Sequence, residues 1–187
     1  EAIVNGAGLV VLCPVDTEAI VPAAQKIADE GIPIVSLNTR MADESLAKTF
    51  VGLENVQQGY ETAKALFEKM GGKGTLIILE GSTGAQTSLD RIEGCKKALE
   101  EYPDIKLVAS QSANYSRAEA LNVAQNLLQS YPDVTAIFCC NDEMALGTAE
   151  AVDAAGKTGK IMISGQDAND DAISALKEGK IPLTSFG

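Results

Sequence analysis

The sequence lacks histidine and tryptophan altogether, and aromatic residues make up only 4% of its 187 residues. Without histidine, neither a Ser-His-Asp nor a Cys-His arrangement for nucleophilic catalysis can form. The cysteines show no C-x-x-C spacing, which together with the missing histidine argues against a zinc site; they are Cys13, Cys95, Cys139 and Cys140. We therefore predict no catalytic residue, no bound metal and no cofactor.

Basic charge is also scarce. The chain has 15 basic and 26 acidic residues, a formal net charge of −11, and its basic residues are scattered rather than gathered in one patch. Such a chain repels a phosphate backbone, so we expect no nucleic-acid partner.

No apolar run approaches the roughly 20 residues of a membrane span. Glu1 opens the chain without the basic segment and apolar core of a signal peptide.

Phosphate-binding and acid–base signatures are weak. The run from Gly71 to Thr75 has the composition of a phosphate-binding loop but the wrong spacing, so it indicates a turn. The segment from Glu80 to Gly84 follows a strand and can either present backbone N–H groups to an anion or simply turn the chain. Paired carboxylates such as Asp142-Glu143 stand at a predicted helix start, where they usually cap the helix or face water.

What the sequence does contain is typical of a globular α/β fold. Hydrophobic residues reach 45% and charged residues 22%, without any low-complexity run. Short apolar runs alternate with segments of helical period, which predicts parallel sheets flanked by helices. The predicted strands are Leu9–Cys13, Ile34–Leu37, Phe50–Leu53, Thr75–Leu79, Lys106–Ala109, Ala136–Cys140, Ile161–Ser164 and Pro182–Ser185. The predicted helices are Thr17–Glu30, Asn55–Met70, Thr87–Glu101, Ser116–Ser130, Asp142–Ala155 and Asp170–Glu178.

Polar residues follow several of these strands. They include Asp16, Asn38, Asn141 and Asp167, and in a parallel sheet all such ends lie on one edge. Each polar residue can cap the helix that follows it, or it can face a ligand rich in hydroxyl groups. The segment after the strand that ends in Cys139-Cys140 can do both: we expect Asp142 and Glu143 to serve the helix start and Asn141 to face the ligand. The two cysteines point to opposite faces of a strand and are predicted to be buried core residues.

Several of these segments together resemble the type I periplasmic sugar-binding proteins of ABC transporters, and most closely the ribose-binding type. The segments that carry the resemblance are CPVD at 13–16, IPIVSLN at 32–38, DRIEG at 90–94, LNVAQNLL at 121–128 and NDEMALG at 141–147. The resemblance implies two α/β lobes that are joined at a hinge and close around one sugar. It also implies delivery of the sugar to an ABC permease or a chemoreceptor, a location in the periplasm or on the outer face of a bacterial membrane, and no enzymatic activity.

Carried over by position, the resemblance implies which residues contact the sugar. Asn38, Arg91, Asn141 and Asp167 match positions that bind sugar hydroxyls, and the charged ones can do so by charge-assisted hydrogen bonds. Tyr115 matches an aromatic position that covers a sugar face, although a tyrosine near a strand end is as often ordinary packing.

Two further positions of the implied site depart from the ribose-binding pattern. Cys13 stands where ribose binders carry asparagine, and Gln166 stands where an aromatic residue would stack on the sugar. Thr39 and Leu53 are similar departures, at positions of arginine and serine. A changed set of donors means a changed set of preferred hydroxyl groups. The sequence therefore leaves open a pentose other than ribose, a hexose or a cyclitol such as inositol.

The resemblance also implies that the chain is a fragment. Residues 1–53 correspond to part of the first lobe, and residues 54–187 correspond to the second lobe without its final strand. On this basis, we expect either that this chain binds sugar weakly or not at all, or that a partner chain completes the first lobe through self-association.

Two other functions are compatible with the predicted fold. The effector-binding core of a LacI-type transcription repressor shares it, but such a protein carries a basic helix-turn-helix segment that is absent here, and NDEMALG and LNVAQNLL match the transport proteins better. A small-molecule enzyme on a doubly wound sheet ranks third, because the catalytic groups are missing and fold alone does not settle function.

Overall fold

The structure is a computed structural model that describes residues 1–186. It divides into two compact units, a smaller one of residues 1–54 with 84–87 and a larger one of residues 55–83 with 88–186. Each unit has its own parallel sheet and helices, which confirms the predicted α/β class. The lobes predicted for residues 1–53 and 54–187 stay a prediction, and the last residue of the second, Gly187, lies outside the described range.

The smaller unit has a three-stranded parallel sheet in the order β1-β2-β3. Its elements are β1 (Val10–Leu12), α1 (Val21–Asp29), β2 (Ile34–Leu37), a 3-10 turn (Glu44–Leu46) and β3 (Thr49–Val51). A small apolar core forms where Ala24 of α1 packs with Ile34 and Met41.

One face of this small sheet is open. Val11, Leu37 and Val51 are 54%, 41% and 53% exposed, whereas Ile34 and Ser36 of the same sheet are buried. Side chains of a strand alternate between the two faces of the sheet, so the apolar residues on the second face have no helix over them among residues 1–186.

The larger unit has a five-stranded parallel sheet in the order β5-β4-β6-β7-β8. Its elements are α2 (Asn55–Lys69), β4 (Gly74–Glu80), α3 (Gln86–Leu99), β5 (Ile105–Ser112), α4 (Arg117–Ser130), β6 (Ala136–Cys139), α5 (Asp142–Ala154), β7 (Met162–Asp167), α6 (Asp170–Lys177) and β8 (Leu183–Phe186).

The core of the larger unit lies around β4 and β6. Every residue of β6 is buried, as is the run from Leu76 to Leu79 in β4. Unbroken burial of this kind shows that helices cover both faces of the sheet. Cys139 and Cys140 are fully buried free thiols, as predicted, and burial raises the pKa of Cys140 to about 12.

All predicted strands and helices occur, but several boundaries differ. Helix α1 was predicted from Thr17 and begins at Val21. The Asp16 carboxylate accepts hydrogen bonds from the backbone N–H groups of Glu18 and Ala19, which holds the preceding residues in a turn, and Pro22 then stands in the first helical turn. Strand β5 continues to Ser112 because its polar end still pairs with β4 after a register shift.

Helices α4 and α5 approach so closely that no side chain fits between them at one point. A Cβ atom on Gly147 would lie 2.1 Å from the backbone oxygen of Arg117 and 3.1 Å from the backbone nitrogen of Leu121. Glycine at this position lets α5 pack with backbone contact against α4, and α5 is the helix that begins next to the functional residues described below.

The substitution Gly147→Ala tests this packing. Alanine favours a helix over glycine by about 1 kcal/mol, but a backbone oxygen cannot move aside as a side chain can, so overpacking should dominate and cost about 1–3 kcal/mol net. Chemical denaturation would measure the loss. Gly8→Ala is the matched control, because a Cβ atom on Gly8 meets nothing within 4 Å. A Gly147→Ala protein as stable as the wild type would contradict the packing argument.

Candidate functional site

The polar strand ends of the larger unit meet at one edge of its sheet. Asn141 follows β6 and Asp167 ends β7, and these strands are parallel neighbours in the sheet. The sequence predicted that the polar residues after all these strands lie on a single edge. The structure corrects this, because Asp16 and Asn38 follow strands of the separate three-stranded sheet.

Arg91 is the central cation of this edge. It comes from α3, is only 7% exposed, and its Nη1 donates to the carbonyl of Cys140 at 2.6 Å and to Oδ1 of Asp167 at 3.4 Å. Its Nε donates to Oδ1 of Asn55 at 3.2 Å. A buried guanidinium needs such partners, and here they fix its plane as well as balance its charge.

The position of Arg91 follows from tight packing between α2 and α3. A Cβ atom on Gly59 would lie 2.2 Å from the backbone oxygen of Arg91, and one on Gly94 would lie 2.0 Å from the backbone oxygen of Val56. These two glycines bring the helix backbones together, so the base of the Arg91 side chain is set by backbone contacts.

Asp167 presents its carboxylate in front of Arg91. The side chain is 43% exposed, yet loss of surrounding water raises the pKa of its carboxyl above the usual range, while Arg91 and a hydrogen bond from the backbone of Asp142 lower it. Its φ of +120° and the +52° of Ala168 lie in a region that residues with a side chain seldom adopt. Such conformations cost about 1–3 kcal/mol each and are found mainly at functional sites.

Asn141 is the N-cap of α5. Its Oδ1 accepts a hydrogen bond from the backbone N–H of Met144 at 3.0 Å, and the side chain is half-buried. Asp142 and Glu143 stand in the first turn of α5, as predicted, and the side chain that caps the helix is that of Asn141. The cap uses only Oδ1, and Nδ2 of the same amide makes no hydrogen bond to any residue within 1–186. This Nδ2 can therefore donate to a ligand.

Asp142 has a further role besides its place in the first turn of α5. It is fully buried, and its Oδ2 accepts from the backbone N–H of Asn169 at 2.9 Å, while its Oδ1 accepts from the hydroxyl of Thr184 at 2.6 Å. Burial raises the pKa of this carboxyl, although these hydrogen bonds oppose the rise. Sequence reasoning missed this role, because its partners, Asn169 and Thr184, lie far from Asp142 along the chain.

Tyr115 packs against the backbone where β4 ends. A Cβ atom on Gly81 would lie 2.1 Å from Cζ of Tyr115, so the ring covers this glycine. Tyr115 itself has a φ of +58° and is partly buried against the core. This is the packing alternative considered from the sequence, and a contact between the ring and a sugar stays a prediction.

Gln166 lies inside the protein. Gly165 faces Asp142 on α5, so Gln166 points to the opposite face of the sheet, where it has no exposed surface. Its Nε2 donates to the carbonyl of Cys139 at 3.5 Å, and its Oε1 has no hydrogen-bond partner in the described part of the chain. The ligand contact predicted for Gln166 stays a prediction, and this buried position gives it no support.

Asn38 and Cys13 lie at the corresponding edge of the smaller sheet. Both are exposed, and Asn38 follows β2 with a φ of +61°. Its backbone N–H donates to the carbonyl of Val51 at 2.9 Å, and its Cα would lie 2.9 Å from a Cβ atom on Gly52. The structure thus holds Asn38 firmly at a strand end, and the sugar contacts predicted for it and for Cys13 stay predictions.

Residues 1–186 contain neither a candidate metal site nor a candidate membrane span. No group of three or more acidic or cysteine side chains there is arranged to hold a metal ion. In the same residues no helix is both long enough and apolar enough to cross a bilayer.

Comparison with known proteins identifies the family. A family profile described as a periplasmic binding protein domain matches residues 1–186. Among curated proteins, the ribose import binding protein of Bacillus subtilis (strain 168) is 34% identical over 98% of this chain. The D-allose-binding periplasmic protein of Escherichia coli (strain K12) is 35% identical over 94% of it.

Solved structures give the same result. An ABC transporter periplasmic solute-binding protein from Actinobacillus succinogenes 130z with bound D-allose is 42% identical, with a TM-score of 0.89 over 96% of this chain and 65% of that chain. A solute-binding protein from Bacillus halodurans C-125 with bound myo-inositol is 32% identical, with a TM-score of 0.92 over 96% of this chain and 63% of that chain. The present chain spans 59% of the B. subtilis protein and 58% of the E. coli protein.

The buried carboxyl of Asp142 leads to a prediction about pH. The pKa of this carboxyl is higher in the folded protein than in the unfolded chain, where it is about 3.9. The stability that Asp142 contributes is therefore fully present below the pKa of the unfolded chain, and it is lost as pH rises through the pKa of the folded protein. The free energy of unfolding of the wild type minus that of Asp142→Asn should therefore be largest near about pH 3 and fall toward about pH 7.

Denaturant titrations of both proteins across this range would measure the difference. Asp153→Asn makes the same change at an exposed position of the same helix and serves as the matched control. A difference between wild type and Asp142→Asn that grows with rising pH would show that the ionised form of Asp142 is favoured by the fold, contrary to this account.

Proposed function

The chain belongs to the family of periplasmic binding protein domains, and we propose that it binds a monosaccharide or a cyclitol as the solute-binding component of an ABC sugar transporter. The single observation that carries the proposal is the pair of Arg91 and Asp167 at the carboxyl edge of the larger sheet. A buried cation there supports an exposed carboxylate, which is an acceptor for the hydroxyl groups of a sugar. The amide of Asn141, from the neighbouring strand end, adds a donor.

The charge of this edge favours a neutral ligand. Asp167 balances Arg91, and the chain as a whole carries a formal charge of −11, so a sugar phosphate or sugar acid would be repelled. The relatives fit this class: the names of two refer to ribose and D-allose, and the two similar structures hold D-allose and myo-inositol. These compounds share vicinal hydroxyl groups and differ in ring and stereochemistry, so a pentose, a hexose and a cyclitol all remain within the proposal.

The relatives also weigh against the alternatives. They are solute-binding proteins, which favours the transport role over the effector-binding core of a transcription repressor. The same relatives give no reason to assign a reaction, and we propose no catalytic activity.

The proposed partner is the permease of the transporter, with a chemoreceptor as the second candidate. The E. coli relative is named a periplasmic protein, which supports a periplasmic location or one on the outer face of the membrane for this chain.

Self-association is a further proposal. It rests on the open face of the smaller sheet, where Val11, Leu37 and Val51 are exposed and a second copy would bury them.

A thermal-shift screen against D-ribose, D-xylose, D-allose and myo-inositol tests the function. A ligand at a hundredfold excess over its Kd adds about 2.7 kcal/mol to stability, which for a chain of this size corresponds to a rise in Tm of roughly 5–11 °C. Ribose 5-phosphate is the charged control and should give no shift. A cooperatively melting protein that responds to none of the four would contradict the proposal.

Substitution of Asn141 tests its place in the site. Asn141→Asp keeps an oxygen for the N-cap of α5 but removes the amide donor, so helix stability should be retained while sugar affinity falls by about tenfold or more. Calorimetric titration with the sugar found in the screen would measure this. Asn126→Asp adds the same charge at an exposed position of α4. Equal affinity in Asn141→Asp and wild type would remove Asn141 from the site.

A further inference from the structure

The turn that carries Asp167 is strained and needs support from outside itself. Asp167 and Ala168 have φ values of +120° and +52°, and neither is glycine. The next residue, Asn169, is the N-cap of α6, where its Oδ1 accepts from the backbone N–H of Ala172 at 2.8 Å. Two unfavourable conformations in succession persist only where neighbouring groups hold them.

Asp142 supplies that support through both backbone N–H groups that follow Asp167. Its Oδ2 accepts directly from the N–H of Asn169 at 2.9 Å. Its Oδ1 accepts from the Thr184 hydroxyl at 2.6 Å, and the oxygen of that hydroxyl accepts from the N–H of Ala168 at 3.3 Å. The backbone N–H of Asp142 also lies near the carboxylate of Asp167 and lowers the pKa of that carboxyl. The Asp142 carboxylate thus holds the turn that directly follows Asp167.

The fold accommodates the Asp142 carboxylate only because a glycine lies beside it in β7. A Cβ atom on Gly165 would lie 2.2 Å from its Oδ1, so β7 needs a glycine where the carboxylate lies. The helix does not need this carboxylate as a cap, because Asn141 provides one. Burial raises the pKa of Asp142, so the surroundings do not fully compensate the buried charge. Stability alone therefore does not explain why a carboxylate is kept here.

We propose that Asp142 is a positioning residue, which holds the turn from Asp167 to Asn169 and so sets where the Asp167 carboxylate stands beside Arg91. The residue is fully buried and acts through the turn, without touching the ligand. The part of this inference that concerns sugar affinity rests on the proposed function, whereas the part that concerns the turn does not.

Two variants and two measurements test it. Asp142→Asn places an amide donor against N–H and O–H donors, and Thr184→Val removes only the hydroxyl with little change in shape. Amide hydrogen exchange of Ala168 and Asn169, followed by NMR, reads the turn directly. Calorimetric titration with D-allose and with myo-inositol reads the site. Asp153→Asn, at an exposed position of α5, is the matched control for the loss of a carboxylate.

We expect Asp142→Asn to speed exchange at both amides by about tenfold or more and to weaken sugar binding by a similar factor. Thr184→Val should speed exchange at Ala168 more than at Asn169. If Asp142→Asn fails to fold, Thr184→Val still gives both measurements. Unchanged exchange in the variants would overturn the inference.

Two other results would separate this inference from the proposed function. Faster exchange together with unchanged sugar affinity would overturn the positioning role, because the turn would then not determine the site. If the wild type binds neither D-allose nor myo-inositol, the fault lies with the proposed function for these ligands. In that case the exchange measurement alone decides whether Asp142 holds the turn: faster exchange supports it and unchanged exchange overturns it.

Discussion

The hydrogen bond from Arg91 to the carbonyl of Cys140, at 2.6 Å, is the contact on which the candidate site depends. It joins α3 to the end of β6 and satisfies a buried carbonyl at the point where the strand stops pairing. A guanidinium fixed in this way can support Asp167 on the next strand without needing a ligand to hold it in place. The candidate site is therefore organised without a ligand, which would lower the entropic cost of binding the proposed sugar.

This arrangement depends in turn on how closely the helices pack. Gly59 and Gly94 let α2 and α3 touch through their backbones, and Gly147 does the same for α4 and α5. The first contact sets the base of Arg91, and the second sets the helix that begins at Asn141. Packing of the core therefore determines the geometry of the candidate site, because a shift of either helix would move Arg91 or Asn141.

Periodicity and strand-end chemistry predicted much of this molecule from sequence. The alternating elements, the buried pair Cys139-Cys140 and the polar ends at Asn141 and Asp167 all follow from local patterns. The role of Asp142 could not be predicted in this way, because its partners, Asn169 and Thr184, lie far along the chain and only the folded sheet brings them together. The direction in which Gln166 points could not be predicted for a similar reason: only the folded structure shows that Gly165 faces α5 and that Gln166 therefore points to the opposite face of the sheet.

Titration of isotope-labelled protein with D-allose or myo-inositol, followed by NMR, would test the central claim most directly. The account predicts that shift changes concentrate on the Nε–H of Arg91, the side-chain amide of Asn141 and the backbone of Asp167, while exposed positions far from the strand ends, such as Asp153, stay unchanged. Binding that leaves the signals of Arg91, Asn141 and Asp167 unmoved would contradict it, because the sugar would then be held elsewhere.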